Sequence, residues 1–330
     1  MLGRWYVLAM LGRASGVALV ALSVGCGSRS SNPPKAVAPA TTASVPSVSA
    51  SSAPAAPSVA SAEAPPAGRP CGELGCLAFA TPEAAFAHAL SAGPRVIAVG
   101  EAHAQKGAPK VKSTIRRFAE ELLPKLEGRA SDLVIELLTT NGSCGKAVEK
   151  DVAERQKPVT EPQAATNQNQ YVTLGALAKK HGIAPHALVP ECDELRAVTQ
   201  AGEADIDRML VLIADATVRE SEKLVASADP KRALVLYGGA LHNDLEPRPG
   251  RETWSFGPRL AKIVAGRYVE IDLVIPEFVK PTPSWQDFPW YAPFTALAPS
   301  PETILYRPSS ASYVLIFPRS APAEPAAPPP

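Results

Sequence analysis

The sequence predicts an α/β domain: a mainly parallel central sheet of about six strands, helices on both faces, and a ligand site at the carboxyl edge. Two observations lead there. Short apolar runs recur along the chain, and stretches of helical periodicity lie between them. The runs are "RVIAVG" (95–100), "DLVIEL" (132–137), "HALVPE" (186–191), "ALVLYG" (233–238), "RYVEIDLVI" (267–275) and "SYVLIF" (312–317). The first four are nearly continuous in Val, Ile, Leu and Ala, as strands covered on both faces should be. "RYVEIDLVI" alternates more and is expected near an edge.

The helices follow from spacing. Val111, Ile115, Phe118 and Leu122 form one apolar stripe expected to stop near Pro124. Ile206, Met209, Leu210, Ile213, Thr217 and Leu224 form a longer one. Shorter helices are expected in "YVTLGALAKKHG", ended by Gly182, and "GPRLAKIVAG", ended by Gly266; both carry basic residues near the C-terminus, where the helix dipole favours them. Alternation of this kind implies right-handed βαβ crossovers.

Outside the domain the composition changes. Residues 1–26 have Arg4 and Arg13 ahead of an apolar run too short to span a bilayer, and they end in Gly25-Cys26. This reads as a secretory signal. Small residues before a cysteine resemble the lipobox of bacterial lipoproteins, which makes Cys26 the expected lipidation site; the usual leucine three places before it is Ser23, with Leu22 one place too early. Gly27, rather than aspartate, resembles the outer-membrane sorting class, so the chain is expected to be exported and held at that membrane through a lipid anchor alone. Residues 27–70 are almost entirely Ala, Pro, Ser, Thr and Val and form an expected disordered linker, able to reach on the order of 100 Å. Residues 319–330 repeat that composition as a tail, leaving residues 71–318 as the domain.

Composition excludes some classes. A formal net charge of +1 in 330 residues gives no electrostatic footprint for nucleic acid, and none is expected as a partner. Four cysteines follow the signal: Cys71, Cys76, Cys144 and Cys192. An even number in an exported chain favours disulfides over thiolate metal ligands, and no tight Cys-x-x-Cys pair is present. Three pairings are possible; Cys71 with Cys76 and Cys144 with Cys192 is favoured, because the latter two follow separate strands.

Ligand sites in such sheets lie where the parallel strands end. Glu101 and His103 follow the first strand, and Glu136 closes the second, with Asn141 beyond it. Glu191 and Asp193 follow the third, and His242, Asn243 and Asp244 the fourth. Two Gly-x-x-His turns, "GEAH" and "GALH", therefore open at one rim. Glu136 interrupts the apolar run "LVIELL", and a buried carboxylate is costly without a partner. His88, His181 and His186 read as structural or surface residues. Two imidazoles with one or two carboxylates can hold a divalent metal, act by acid–base chemistry without one, or offer an axial ligand to haem.

These motifs, spanning about Arg95 to Asp244, resemble the superfamily that joins ChaN-type haem-binding lipoproteins, erythromycin-esterase-like hydrolases and the TraB/Tiki proteins. The resemblance implies that Glu101, His103, Glu136 and His242 form the site. The erythromycin-esterase type usually has one more residue between glutamate and histidine than "EAH" provides. The leading expectation is metal-assisted hydrolysis of an ester or amide in a small-molecule or peptide ligand. His103, His242 and Glu136 would hold the metal, with Glu101 or Glu136 activating water. Alternatives are haem or iron-chelate binding without turnover, and an inactive interaction module. The aromatic stretch Trp285, Phe288, Trp290, Tyr291 and Phe294, too irregular for helix or strand, reads either as a wall over the site or as a loop packed on the sheet.

Overall fold

Nine strands share one sheet in the computed structural model, which describes residues 67–320 apart from 141–143, 149, 151, 152, 155, 156, 158–160, 162, 165, 166, 200–205 and 299. Cys26, the signal segment, most of the linker, Asn141 and residues 321–330 lie outside the described residues. In chain order the strands are β1 (Arg69–Pro70), β2 (Leu77–Phe79), β3 (Val96–Glu101), β4 (Ala130–Leu138), β5 (Ala184–Leu188), β6 (Ala233–Gly239), β7 (Tyr268–Val274), β8 (Thr303–Ser309) and β9 (Ser312–Ile316). Their order across the sheet is β1-β2-β8-β9-β7-β3-β6-β4-β5.

The six expected strands are β3, β4, β5, β6, β7 and β9, and every pairing among them is parallel. Three further strands extend the β9 side, each antiparallel to its neighbours. Sequence reasoning missed them for separate reasons. β1 and β2 are too short to show a period, and β8 is broken by Arg307-Pro308, where its register with β9 shifts. The placement of β7 is also a correction. It lies between β9 and β3, and its alternating polar residues, Glu270 and Asp272, point into protein rather than to solvent.

Helices cover both faces. On one, α1 (Pro82–Ala89), α2 (Thr114–Arg117) and α3 (Asn167–Lys180) pack Phe86, Ile115 and Leu174 against Ile97, Val99, Ile135 and Tyr237. On the other, α4 (Cys192–Thr199), α5 (Ile206–Ser227) and α6 (Gly257–Ile263) pack Leu195, Met209, Leu212 and Leu260 against Val96, Ala98, Val134 and Leu236. The stripe expected to stop at Pro124 runs on instead. After α2 the helix widens over Phe118–Leu122 and tightens over Leu123–Leu126, with Pro124 tolerated near the start of the tight turn, where its missing N–H has no partner to lose. Val111 precedes the helix and still packs on the core. Gly182 and Gly266 adopt left-handed φ values of 69° and 77° just past α3 and α6, where a helix end favours glycine.

Both favoured disulfides are present, Cys71–Cys76 and Cys144–Cys192. They span 5 and 48 residues respectively. In the chain-entropy account, removing the longer closure costs about 4 kcal/mol and the shorter about 2 kcal/mol. Urea unfolding of Cys144→Ser/Cys192→Ser should therefore show roughly twice the stability loss of Cys71→Ser/Cys76→Ser. Equal losses would show that loop closure is not the source. Among the described residues, no helix is long and apolar enough to cross a membrane.

Candidate active site

Glu101, the last residue of β3, is 4% exposed and lies on the face covered by α2 and α3. A carboxylate so placed needs donors, and three groups supply them. The Tyr237 hydroxyl, on the neighbouring β6, donates to Oε2 at 2.7 Å. The Tyr171 hydroxyl, from α3, donates to Oε1 at 3.1 Å, and His103 Nδ1 lies 2.9 Å from that same oxygen. Burial foremost, then the Glu101 charge, pushes both phenols well above their ordinary range, so they stay protonated donors. Burial by itself would depress the His103 pKa. The Glu101 hydrogen bond, with the charges of Glu101 and Glu136, outweighs it and pushes His103 up to about 9. At neutral pH His103 is thus an imidazolium with Nδ1–H directed to Glu101 and Nε2–H left for another partner.

Glu136 and His242 sit on the opposite face. Glu136 is two residues past Val134 on β4 and shares its side of the sheet. Its Oε2 accepts the Gly239 N–H at 2.5 Å, and its Oε1 is 3.7 Å from His242 Nε2. His242 is 3% exposed. Its Nδ1 lies 2.7 Å from the Trp254 carbonyl oxygen, which can only accept; Nδ1 therefore carries the proton, and in the neutral ring Nε2 carries the lone pair.

Two consecutive glycines at the end of β6 let the faces meet. A methyl group on Gly238 would overlap Glu136 Oε2 and come within 2.9 Å of Glu136 Cβ. A methyl on Gly239 would stand 3.2 Å from His103 Nε2 and 3.6 Å from Glu136 Oε2. The bare backbone thus admits a carboxylate from one side and an imidazole from the other.

All four principal residues named from the sequence gather at this rim. The secondary candidates divide. Glu191 and Asp193 do not reach it, because β5 ends at Leu188 and the chain turns directly into α4. Glu191 instead caps that helix, its N–H donating to Glu194 Oε2 at 2.8 Å, and Asp193 is an exposed partner of Arg196. Asn243 and Asp244 occupy the same turn as His242 but face β7. The Asn243 amide donates to Asp272 Oδ1 at 3.0 Å, and Asp244 joins Glu270 and Asp272, their donor atoms all within 4.8 Å of one another. Burial foremost pushes Asp244 up to about 6 and Glu270 up to about 7, and Asp272 well above its usual range. No other trio of acidic, imidazole or thiol side chains among the described residues is gathered as tightly. The donor atoms of His103, His242 and Glu136 do not all lie within 4.8 Å of one another.

His186 and His181 serve structure, at 2.8 Å from Asp132 and 2.9 Å from Glu127. The aromatic stretch forms two short helices, α7 (Pro283–Gln286) and α8 (Tyr291–Ala296), contrary to the irregular reading. Trp285, Phe288, Trp290 and Phe294 pack on one another and on Ile304, Tyr306, Val314 and Ile316 of β8 and β9. The segment is thus a cover for the antiparallel end of the sheet. Tyr171 and Tyr237 were missed. For Tyr237 alone there was a signal, a tyrosine in the continuous apolar run "ALVLYG", since a buried hydroxyl must find a partner.

The fold and this rim together define an α/β chain with two imidazole–carboxylate pairs at the carboxyl edge of a parallel sheet. No protein-family model and no curated protein matches the sequence. Solved structures similar to it include a mutant of the erythromycin esterase EreC in its open conformation, at 11% identity, TM-score 0.40, covering 70% of this chain and 92% of that one. The type III effector HopBA1 aligns at 11% identity and TM-score 0.36 over 78% of this chain and 100% of its own. A Bacillus cereus protein aligns at 10% identity and TM-score 0.37 over 73% and 93%. Similarities this faint say nothing about which residues act.

Proposed function

We propose that this chain hydrolyses an ester or amide bond by acid–base chemistry divided between its two imidazole–carboxylate pairs. The observation that carries the reading is their convergence on Gly239 from opposite faces of the sheet, each ring held by a fixed hydrogen bond at Nδ1. The 3.7 Å between His242 Nε2 and Glu136 Oε1 is too long for a direct hydrogen bond and suits a water that touches both. His242 Nε2 takes a proton from that water as its oxygen bonds to the substrate carbonyl carbon, and the carbonyl π electrons move onto oxygen. The imidazolium Nε2–H of His103 stabilises that oxyanion. When the tetrahedral intermediate collapses, the bond to the leaving group breaks and the leaving group takes the proton held on His242. Glu136 steadies the His242 imidazolium in between, and Glu101 keeps His103 charged.

A cleft of about 420 Å³ lies beside the loop that carries His103, lined in part by Ala104, Gln105, Ser113 and Gln170. It offers room for the rest of a small ligand. The test is kinetic. His242→Ala should lower kcat/KM on an activated ester by about 10²- to 10⁴-fold with the fold retained by circular dichroism. Undiminished turnover would remove His242 from the mechanism. A Soret shift on haem titration that depends on either histidine, with no turnover, would replace hydrolysis by haem binding.

A further inference from the structure

We infer that Asp244, Glu270, Asp272 and the side-chain oxygen of Asn243 form a binding site for a hard divalent cation of the calcium or magnesium kind. The site is separate from the histidine pairs and does not rest on the proposed hydrolysis. Three carboxylates present donor atoms within 4.8 Å of one another, which matches the span of about 4.6 to 5.2 Å between oxygens on opposite sides of a calcium ion.

The second observation is an orphaned acceptor. Asn243 is 1% exposed and its Oδ1 has no hydrogen-bond partner among the described residues, although its amide nitrogen is fixed by Asp272 Oδ1. Buried oxygens without donors are rare, and a cation satisfies one directly. Asn243 Oδ1 and Asp272 Oδ1 lie 2.6 and 2.5 Å from the position a methyl on Gly100 would take, so both oxygens stand over the same bare Cα. Glu270 accepts from the Leu245 N–H at 2.6 Å and from the Ser312 hydroxyl at 2.7 Å, and Asp272 accepts from the Asn243 amide; all three donors are neutral. Arg248 and Arg251 act on Asp244. A buried carboxylate cluster compensated only in part is costly, and a divalent cation supplies the missing charge. The donors are all oxygen, which favours hard ions over zinc or copper.

The purified full chain, stripped with EDTA and dialysed, should be titrated by calorimetry with calcium chloride and separately with magnesium chloride, and its Tm recorded. The expected result is one ion bound per chain and a Tm rise of about 5 to 10 °C at roughly a hundredfold excess over Kd. Asp244→Asn alters the one carboxylate that lies on the turn rather than in the sheet. It should weaken binding at least about tenfold, as should Glu270→Gln. Absence of heat and of a Tm shift with both ions in the unaltered chain overturns the site, and so does unchanged affinity in both variants. A Tm that falls as pH rises between about 6 and 8, with no response to either ion, would show shared protons in place of a cation.

Discussion

Gly238→Ala is expected to lower kcat/KM by at least about 10²-fold, although alanine carries no chemistry of its own. The added methyl would occupy space now held by Glu136 Oε2 and approach Glu136 Cβ at 2.9 Å. Glu136 cannot retreat freely, because its Oε2 accepts the Gly239 N–H and it directly follows Ile135, which is paired with both β5 and β6. The carboxylate must rotate away, taking with it the oxygen that faces His242. Overpacking of this kind costs about 1 to 3 kcal/mol in stability as well. Gly239→Ala is the comparison: its methyl meets His103 Nε2 at 3.2 Å and Glu136 Oε2 at 3.6 Å, so a shift of a few tenths of an ångström accommodates it. Steady-state kinetics and urea unfolding on the two variants separate the effects. Equal activity in both would show that Glu136 need not sit where the structure has it.

Glu101→Gln is expected to bring the His103 pKa from about 9 to below the ordinary histidine value, because burial alone remains to act on it apart from Glu136. In the unaltered chain the folded-state pKa of His103 lies above the unfolded value of 6.5. Its contribution to stability is therefore fully present below about pH 6.5 and is lost as pH rises through about 9. The shift corresponds to about 3 kcal/mol. Glu101→Gln should remove most of that pH dependence, together with the charge that Tyr171 and Tyr237 donate to. Hydrolysis should also fall at high pH in the unaltered chain, as the imidazolium is lost. NMR titration of the His103 ring, with urea unfolding at pH values on either side of 8, tests both statements. A His103 pKa that stays near 9 in the variant would show that Glu101 is not what holds the proton.

What could be read in advance was set by burial. β3, β4 and β6 were legible because both faces of each are covered and their residues are apolar with hardly a break. β7 was misplaced for the opposite reason: Glu270 and Asp272 alternate as solvent-facing residues do, yet they point into a polar pocket inside the protein. Within the site, Glu101, His103, Glu136 and His242 were legible because an acid or imidazole at the end of an apolar run has little structural reason to be there. Glu191 was misread because Pro190 and the early start of α4 shorten β5, so that its apolar run outlasts the strand. Tyr171 and Tyr237 were hidden because a tyrosine is ordinary in a helix or a strand, and only the partner across the fold gives it a role.

The two outermost strands of the sheet have a bearing on how copies of this chain meet. β1 is two residues long and ends in Pro70, and β5 carries Pro185 among five residues. A proline offers no N–H to a strand arriving from another molecule, and short edges give it little length to join. The parallel core is apolar and inherently prone to pairing, but both borders of the nine-strand sheet that contains it are closed to growth. Crowding of the folded domain should therefore bring copies into contact through side chains and loops, without extending one sheet into the next.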